Sequence, residues 1–454
     1  MKKRDIIIAV IVIAFGLTYN AIRKGDIRFY DGCSSYSRSL LDRTHPVSFP
    51  REDIRYEAGS IRKIKIDNPA GDIEVAKSTD GAILVKPVVV AYHRNKNKAG
   101  DIAKDVRVTS RVTDGKAVIG INVDGNRLYR RVRIRFQCFI PEDVELELKN
   151  RYGNVDVIDV GRNISVDERY GDLFIKNIDS PLTVTGHNGR VRIYDITGGV
   201  QLHSNHSRVK IKNVPSIRAK CLHAKLFIEE VKEDVEITHA GYSRIEIEKA
   251  GPLNIDAVHT RIKIKDVKNN ITIKNSHAPV YLEDIRGDVN IEARDCRLGL
   301  TGVVSDNLVI KDSYSYVDME NVSGKNLDVL LNNGELRVVF DRFDEKINIK
   351  TKGADVTLNY PESLKPAFNI TSFNGKIINR TDTQLTVEEK REKQTLNTMG
   401  GIPQITIDTE YGDILLKNSK ARPAVPAEKE EVPPVPAEKV ETQKAEAEKT
   451  ENQG

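Results

Sequence analysis

Between Val144 and Tyr360, apolar side chains alternate with polar ones in runs of three to five residues, and the runs recur at a nearly fixed interval. Ile164-x-Val166, a turn and Leu173-x-Ile175-x-x-Ile178 are followed by Leu182-x-Val184 with Val191-x-Ile193-x-x-Ile196, and later by Leu253-x-Ile255 with Ile262-x-Ile264-x-x-Val267. The units begin at Val144, Ile164, Leu182, Val200, Ile217, Val235, Leu253, Ile271, Val289, Leu308, Leu327 and Ile347, spaced 17 to 20 residues apart. Such short period-two alternation predicts very short strands with one inward face, separated by polar turns. One unit has too few inward side chains to offset the cost of ordering its backbone. The units must therefore stack, each pairing with the turn above and below it. The expected fold is all-β: a single-stranded β-helix or solenoid of about 12 turns of roughly 18 residues, with a β-rich cap at its N-terminal end.

A second, independent signal fixes the register. Two positions before the second strand's first apolar residue stand Gly153, Gly171, Gly189, Ser207, Ala224, Ser243, Thr260, Ala278, Cys296, Ser315, Gly334 and Ala354, and the same alignment adds Gly71, Gly375 and Gly412 outside the regular run. Every one is small, as a tight bend over the core requires. Cys296 accordingly reads as a packing residue, not a nucleophile. From residue 56 to 143 the strands lengthen; in Arg131 to Ile140, Arg131, Arg133 and Arg135 face one way and Val132, Ile134, Phe136 and Cys138 the other, as in a half-buried strand covering an exposed edge. Pro361 to Gly401 interrupts the repeat, with the charged stretch Glu388 to Lys393 read as a solvated excursion, before Ile405-x-Ile407 and Ile414-x-Leu416 restore a last turn.

The flanks have a different character. Lys2, Lys3 and Arg4 precede an apolar run from Ile6 to Leu17 without a convincing cleavage site, the layout of an uncleaved signal anchor rather than a cleaved signal. The predicted organisation is an anchor or transmembrane segment at 1–25, a juxtamembrane linker at 26–55, the cap at 56–143, the solenoid at 144–420 and a Pro/Ala/Glu/Lys tail at 421–454. The solenoid is expected outside the cell membrane, periplasmic or at the cell surface, on a single pass. With 71 basic and 66 acidic residues the net charge is +5, a surface dense in both signs that gives no support to nucleic-acid binding. Cys33, Cys138, Cys221 and Cys296 form no CxxC pair, which argues against a zinc ribbon and a disulfide framework.

The Tyr-Gly-Asp and Tyr-Gly-Asn turns, Tyr152-Gly153-Asn154, Tyr170-Gly171-Asp172 and Tyr411-Gly412-Asp413, give the chain from about Ile64 to Asn418 a resemblance to the bacterial "putative adhesin" family of β-strand-repeat proteins, a domain of unknown function. The resemblance implies an envelope-located β-solenoid, often tethered by one N-terminal span. It carries over no ligand and no catalytic residue.

Two ladders flank the small column. One holds rings, Tyr170, His206, His223, Tyr242, His259 and His277; the other holds cations, Arg190, Arg208, Lys225, Arg244, Arg261 and Arg297, broken by Pro279. Arg192, Lys210 and Lys263 follow two positions later, diluted by Glu246 and Glu248. Rings beside cations suit an anionic envelope polysaccharide, the sugars stacking and the acid groups pairing with Arg; an envelope protein is the other expected partner. One ring per turn without a convergent carboxylate predicts no metal site, and no cofactor is expected. No GxSxG, HExxH, Walker or dinucleotide motif occurs. Asp295 with Arg297 and Asp312 is the best catalytic grouping, so a polysaccharide-cleaving β-helix is the weaker alternative, after a scaffold polymerising end to end. The expected role is a binding, adhesin-like or scaffolding module and not an enzyme.

Overall fold

The computed structural model describes residues 45–123 and 131–419. The anchor, Cys33 and the Pro-rich tail lie outside the described residues. Each repeat unit supplies two strands, which pair not with each other but with their equivalents one unit away. Leu182–His187 lies parallel to Val200–Asn205, and that strand to Ile217–Leu222. Arg190–Ile196 lies parallel to Arg208–Val214, and that strand to Lys225–Val231. Two parallel sheets therefore wind around one core, into which the alternating Leu, Ile and Val side chains point. From Arg297 to Pro361 the chain continues through further rungs, bending at left-handed residues such as Tyr314, Asn321 and Asn333.

The x-x pair near the end of each unit has a physical cause. Asn177, Asp195, Asn213, Asp266 and Asp284 adopt φ between 50° and 57°, the left-handed region where Asn and Asp are enriched. This single left-handed residue breaks the alternation by one place, and Ile178, Ile196, Val214, Val267 and Ile285 turn inward again.

At both ends the spatial order departs from the order of the chain. Lys63–Asn68 lies between Glu145–Asn150 and Lys116–Val123, and Ile73–Lys77 between Val155–Ile158 and Val132–Ile140. Residues 63–77 are thus a rung of the solenoid, and the outermost rung comes from the excursion that follows them. Val106–Thr113 closes that rung antiparallel to Lys116–Val123, and Ile83–His93 closes it antiparallel to Val132–Ile140. The C-terminal end mirrors this arrangement. Gln404–Glu410 is inserted between residues 346–352 and Ala367–Phe373, and Ile414–Ser419 between residues 356–361 and Ile377–Arg380. The stretch that interrupts the sequence repeat is therefore itself the last rung, its first strand Ala367–Phe373 covered by antiparallel Lys393–Asn397 and then Glu388–Lys390. The alternation cannot reveal such a reversal, because the inward faces are the same whichever rung lies next door. A bare parallel edge would present unpaired N–H and C=O groups, and hairpins return the chain against it.

One inward column is polar. Asn68, Asn150, Glu168 and Ser204 lie in it, with Gly186 and Cys221 in register. Asn150 Nδ2 donates to Glu168 Oε2 at 2.8 Å, and Tyr170 N donates to Oε1 at 3.2 Å. Burial pushes the Glu168 carboxyl up to about 8, against these hydrogen bonds. A carboxyl raised in the folded state contributes stability that is complete below the usual glutamate range and is lost as pH rises toward 8. Glu168→Gln is expected to abolish that loss: between pH 5 and pH 9 the wild-type Tm should fall relative to the variant's by the equivalent of about 2–4 kcal/mol, measured by thermal melts of the full chain. Parallel Tm curves would refute the buried acid.

Candidate functional site

The turn between the two strands of each rung is the corner where both ladders run, and it is built in two ways. In the first, Gly occupies the small column and Asp or Asn follows it. A Cβ placed on Gly153 would lie 2.0 Å from Gly71 O, and one on Gly171 would lie 1.6 Å from Gly153 O. The carbonyl of the rung below fills the site of a side chain, so only Gly fits. That carbonyl then leaves the next N–H without its acceptor, and the side chain takes over: Asn154 N donates to Asp72 Oδ1 at 2.9 Å, Asp172 N to Asn154 Oδ1 at 3.1 Å, and Asp413 N to Asp355 Oδ1 at 2.8 Å. The Tyr-Gly-Asp turn is thus a structural device. In the second form the carbonyl points along the stack and accepts the N–H itself, as when Arg208 N donates to Gly189 O at 3.0 Å, Lys225 N to Ser207 O at 2.9 Å and Arg261 N to Ser243 O at 3.0 Å. Ser, Ala and Thr now fit in the small column, and the position after it has no duty to the backbone.

The cations occupy the positions freed in this way. Arg190, Arg208, Lys225, Arg244 and Arg261 are consecutive register partners, all exposed, about 4.8 Å apart from rung to rung. Like charges at this spacing repel by about 1 kcal/mol per neighbouring pair in water, whereas Asp or Asn in the first kind of turn gains a hydrogen bond worth about 0.5–1.5 kcal/mol. The fold does not ask for this column. Arg190 is held by Asp172 at 2.7 Å and Arg244 is paired with Glu246, but no carboxylate lies within ion-pair distance of Arg208, Lys225 or Arg261 among the described residues. Arg297, beyond Pro279, stands apart from the other five and lies over the Tyr316 ring at 5.2 Å.

The rings have a fold-level explanation that the sequence did not disclose. His206, His223, Tyr242, His259 and His277 have φ between 49° and 61°, as do Asn188 and Asp295 in the same column. Asn, Asp and His tolerate the left-handed bend best. Tyr does not, at a cost of about 1–2 kcal/mol, but it stacks. The centroid distances from His206 through His223, Tyr242 and His259 to His277 are 4.7, 5.2, 4.7 and 4.8 Å, with interplanar angles of 13° to 24°. Contacts worth about 0.5–1.5 kcal/mol each offset the strain of the bend. His277 Nδ1 continues the ladder to Asp295 Oδ2 at 3.2 Å. Tyr170 does not join this stack; it pairs with Tyr152 at 5.0 Å, and Asn188 separates the two groups.

The catalytic grouping comes apart in the structure. Asp312 is buried, accepts from Ser313 N and Ser315 Oγ at 2.6 Å each, and is pushed up to about 6 by desolvation. Asp295 is exposed and engaged with His277. The Cys296 thiol is buried and raised by that burial. Among the described residues no three His, Cys, Asp or Glu side chains come together to hold a metal. A groove of about 550 Å³ adjoins the cation column on the outer face of the second-strand sheet, lined in part by Arg190, Arg192, Arg208, Lys210 and Phe227. A larger one of about 1600 Å³ lies where the cap meets the first rungs, past Lys77, Phe139, Ile158, Asp159 and Pro181.

The family model described as Toastrack DUF4097 matches residues 61–417, a span that starts in the first intercalated rung and ends in the last. No curated protein matches the chain. Similar solved structures include a "putative cell adhesion protein" from Clostridium sporogenes ATCC 15579, 9% identical over 83% of this chain and 100% of that one with a TM-score of 0.14, and a "putative adhesin" from Bacteroides fragilis NCTC 9343, 16% identical over 54% and 97% with a TM-score of 0.26. Superpositions this loose carry no argument about this chain.

The two kinds of turn separate experimentally. Gly171→Ala should destabilise by about 1–3 kcal/mol through overpacking against Gly153 O, while Ala224→Gly should cost only about 0.5–1 kcal/mol, both read from denaturant midpoints. At the stack, Tyr242→Asn should be nearly neutral and Tyr242→Val clearly destabilising; the reverse order would show that the bend does not choose the residue.

Proposed function

Because the chain belongs to the Toastrack DUF4097 family, a fold that leaves the corner's outward positions free, we propose that it is a non-catalytic, adhesin-like binding module whose ligand lies along the ring and cation corner. The observation that carries this reading is the run Arg208, Lys225, Arg244 and Arg261, exposed in consecutive rungs beside an unbroken stack of five rings, at positions where the backbone needs nothing from the side chain. The matching ligand is an extended anionic polymer of the cell envelope, its acid groups on the cations and its ring faces or apolar edges along the imidazoles and phenols. The tether at residues 1–25 belongs to the same proposal and rests on the sequence; among the described residues no helix is long and apolar enough to cross a membrane.

The polymerising-scaffold alternative would draw on open strand edges at the ends; antiparallel strands cover both strands of the N-terminal outer rung and Ala367–Phe373 of the C-terminal one, while Ile377–Arg380 pairs among the described strands only with Ile414–Ser419. The hydrolytic form of the polysaccharide-cleaving alternative would use two carboxylates facing one substrate, and Asp312 of the proposed grouping is buried.

Charge reversal tests the reading. The full chain carrying Arg208→Glu, Arg244→Glu and Arg261→Glu is expected to lose at least about tenfold in retention on immobilised polygalacturonate, and wild-type retention should weaken as salt rises from 50 to 500 mM. Undiminished retention by a folded triple variant would rule out the corner as the binding face.

A further inference from the structure

The cations of the outer face are not equivalent. Beyond the corner, Lys212 is paired with Glu229 at 3.0 Å and Glu230 at 3.1 Å, Lys263 with Glu283 at 3.3 Å, and Lys265 with Glu283 at 3.2 Å. Arg192, Lys210 and Arg208 have no such partner among the described residues. These three and Arg190 form a square, Arg190 opposite Arg208 and Arg192 opposite Lys210 on adjacent strands. Neighbouring strands are about 4.8 Å apart and residues two apart along a strand about 6.6–6.8 Å. Phenyl rings bracket the outer pair in the same register column, Phe174 beside Arg192 and Phe227 beside Lys210. The Arg192 guanidinium lies over the Phe174 ring at 5.5 Å, and its Nε is buried without a hydrogen-bond partner. A buried, unsatisfied, charged donor is costly.

We infer that the groove of about 550 Å³ along Arg190, Arg192, Arg208 and Lys210, whose lining also includes Phe227 and the carboxylates Glu229, Glu246 and Glu248, holds at its Arg192–Lys210 end a discrete site for a tetrahedral oxyanion, a phosphate or sulfate group carried on a polymer unit that packs against Phe227. Arg192, Arg208 and Lys210 lie on two adjacent strands without carboxylate partners among the described residues, while Arg190 is held by Asp172, and Arg forks match tetrahedral oxyanions with paired N–H donors, where a planar carboxylate uses fewer of them. The groove is large enough for one or two polymer units. Arg190 and Arg208 belong also to the corner column, so the inference rests on the corner reading and sharpens it: the column carries an extended polyanion, and this groove selects the chemistry of its charged group.

The test compares polyphosphate, dextran sulfate and polygalacturonate as probes for the full chain, titrated at one salt concentration. Arg192→Gln with Lys210→Gln should weaken polyphosphate or dextran sulfate at least tenfold and leave polygalacturonate within about twofold; which of the two suffers identifies phosphate or sulfate as the group. Arg192→Lys, which keeps the charge and loses the fork, should give an intermediate loss. Equal losses on all three probes, no loss on any, or no binding of polyphosphate or dextran sulfate by the wild type would overturn the site. Arg244→Glu with Arg261→Glu reports on the corner separately. If that pair leaves all three probes unaffected while Arg192→Gln with Lys210→Gln still discriminates among them, the corner reading falls and the groove stands.

Discussion

Everything in this molecule depends on one close approach, that of each rung's backbone to the rung beneath it at the corner between its two strands. Parallel pairing sets the rungs about 4.8 Å apart, and at the bend that distance leaves room for a carbonyl oxygen or a Cβ but not for both. Gly171 has the carbonyl of Gly153 where its side chain would be; Ser207 has a side chain because Gly189 O points up the stack to Arg208 N. The choice of peptide orientation fixes the residue in the small column and the duty of the residue after it. Asp and Asn are needed after the first orientation and optional after the second.

Surface chemistry follows from that choice. In the middle of the solenoid the turns are of the second kind, and there the column after the bend changes from hydrogen-bond acceptors to cations, five in register from Arg190 to Arg261. The neighbouring rings have a different origin. Their positive φ favours His, Asn and Asp, and stacking favours planar side chains, so the ring ladder is explained by the fold before any ligand is considered. The cation ladder is not, and it therefore carries more weight as a sign of function. The interior shows a comparable exception at Glu168, a carboxyl kept in the core by Asn150 and by the N–H of Tyr170, where burial favours its protonated form.

The ends answer a different demand. A solenoid built by parallel stacking terminates in an edge like the one it grows from. Here each end carries an excursion that lays down the outermost rung, covered over both strands by antiparallel Val106–Thr113 and Ile83–His93 at one end and over its first strand by Lys393–Asn397 at the other. The first and last rungs along the chain consequently lie one layer inside the stack.

The sequence alone determined the all-β class, the stacked units, the small column and the two exposed ladders, because alternation and period depend on which side chains point inward, and that is a local property of a strand. It also placed Gly71, Gly375 and Gly412 in register before their rungs were known, although it took Pro361 to Gly401 as an interruption. Tertiary structure decided three further matters. It set the order of rungs at the ends, since inward alternation is the same whichever strand lies beside it. It set the left-handed bend beneath the rings, since Asn, His and Asp in one column become a conformational signal only once φ is seen. And it distinguished the cations held by carboxylates from those left open, since a partner such as Glu283 for Lys265 lies 18 residues away and is brought within 3.2 Å only by the stacking of one rung on the next.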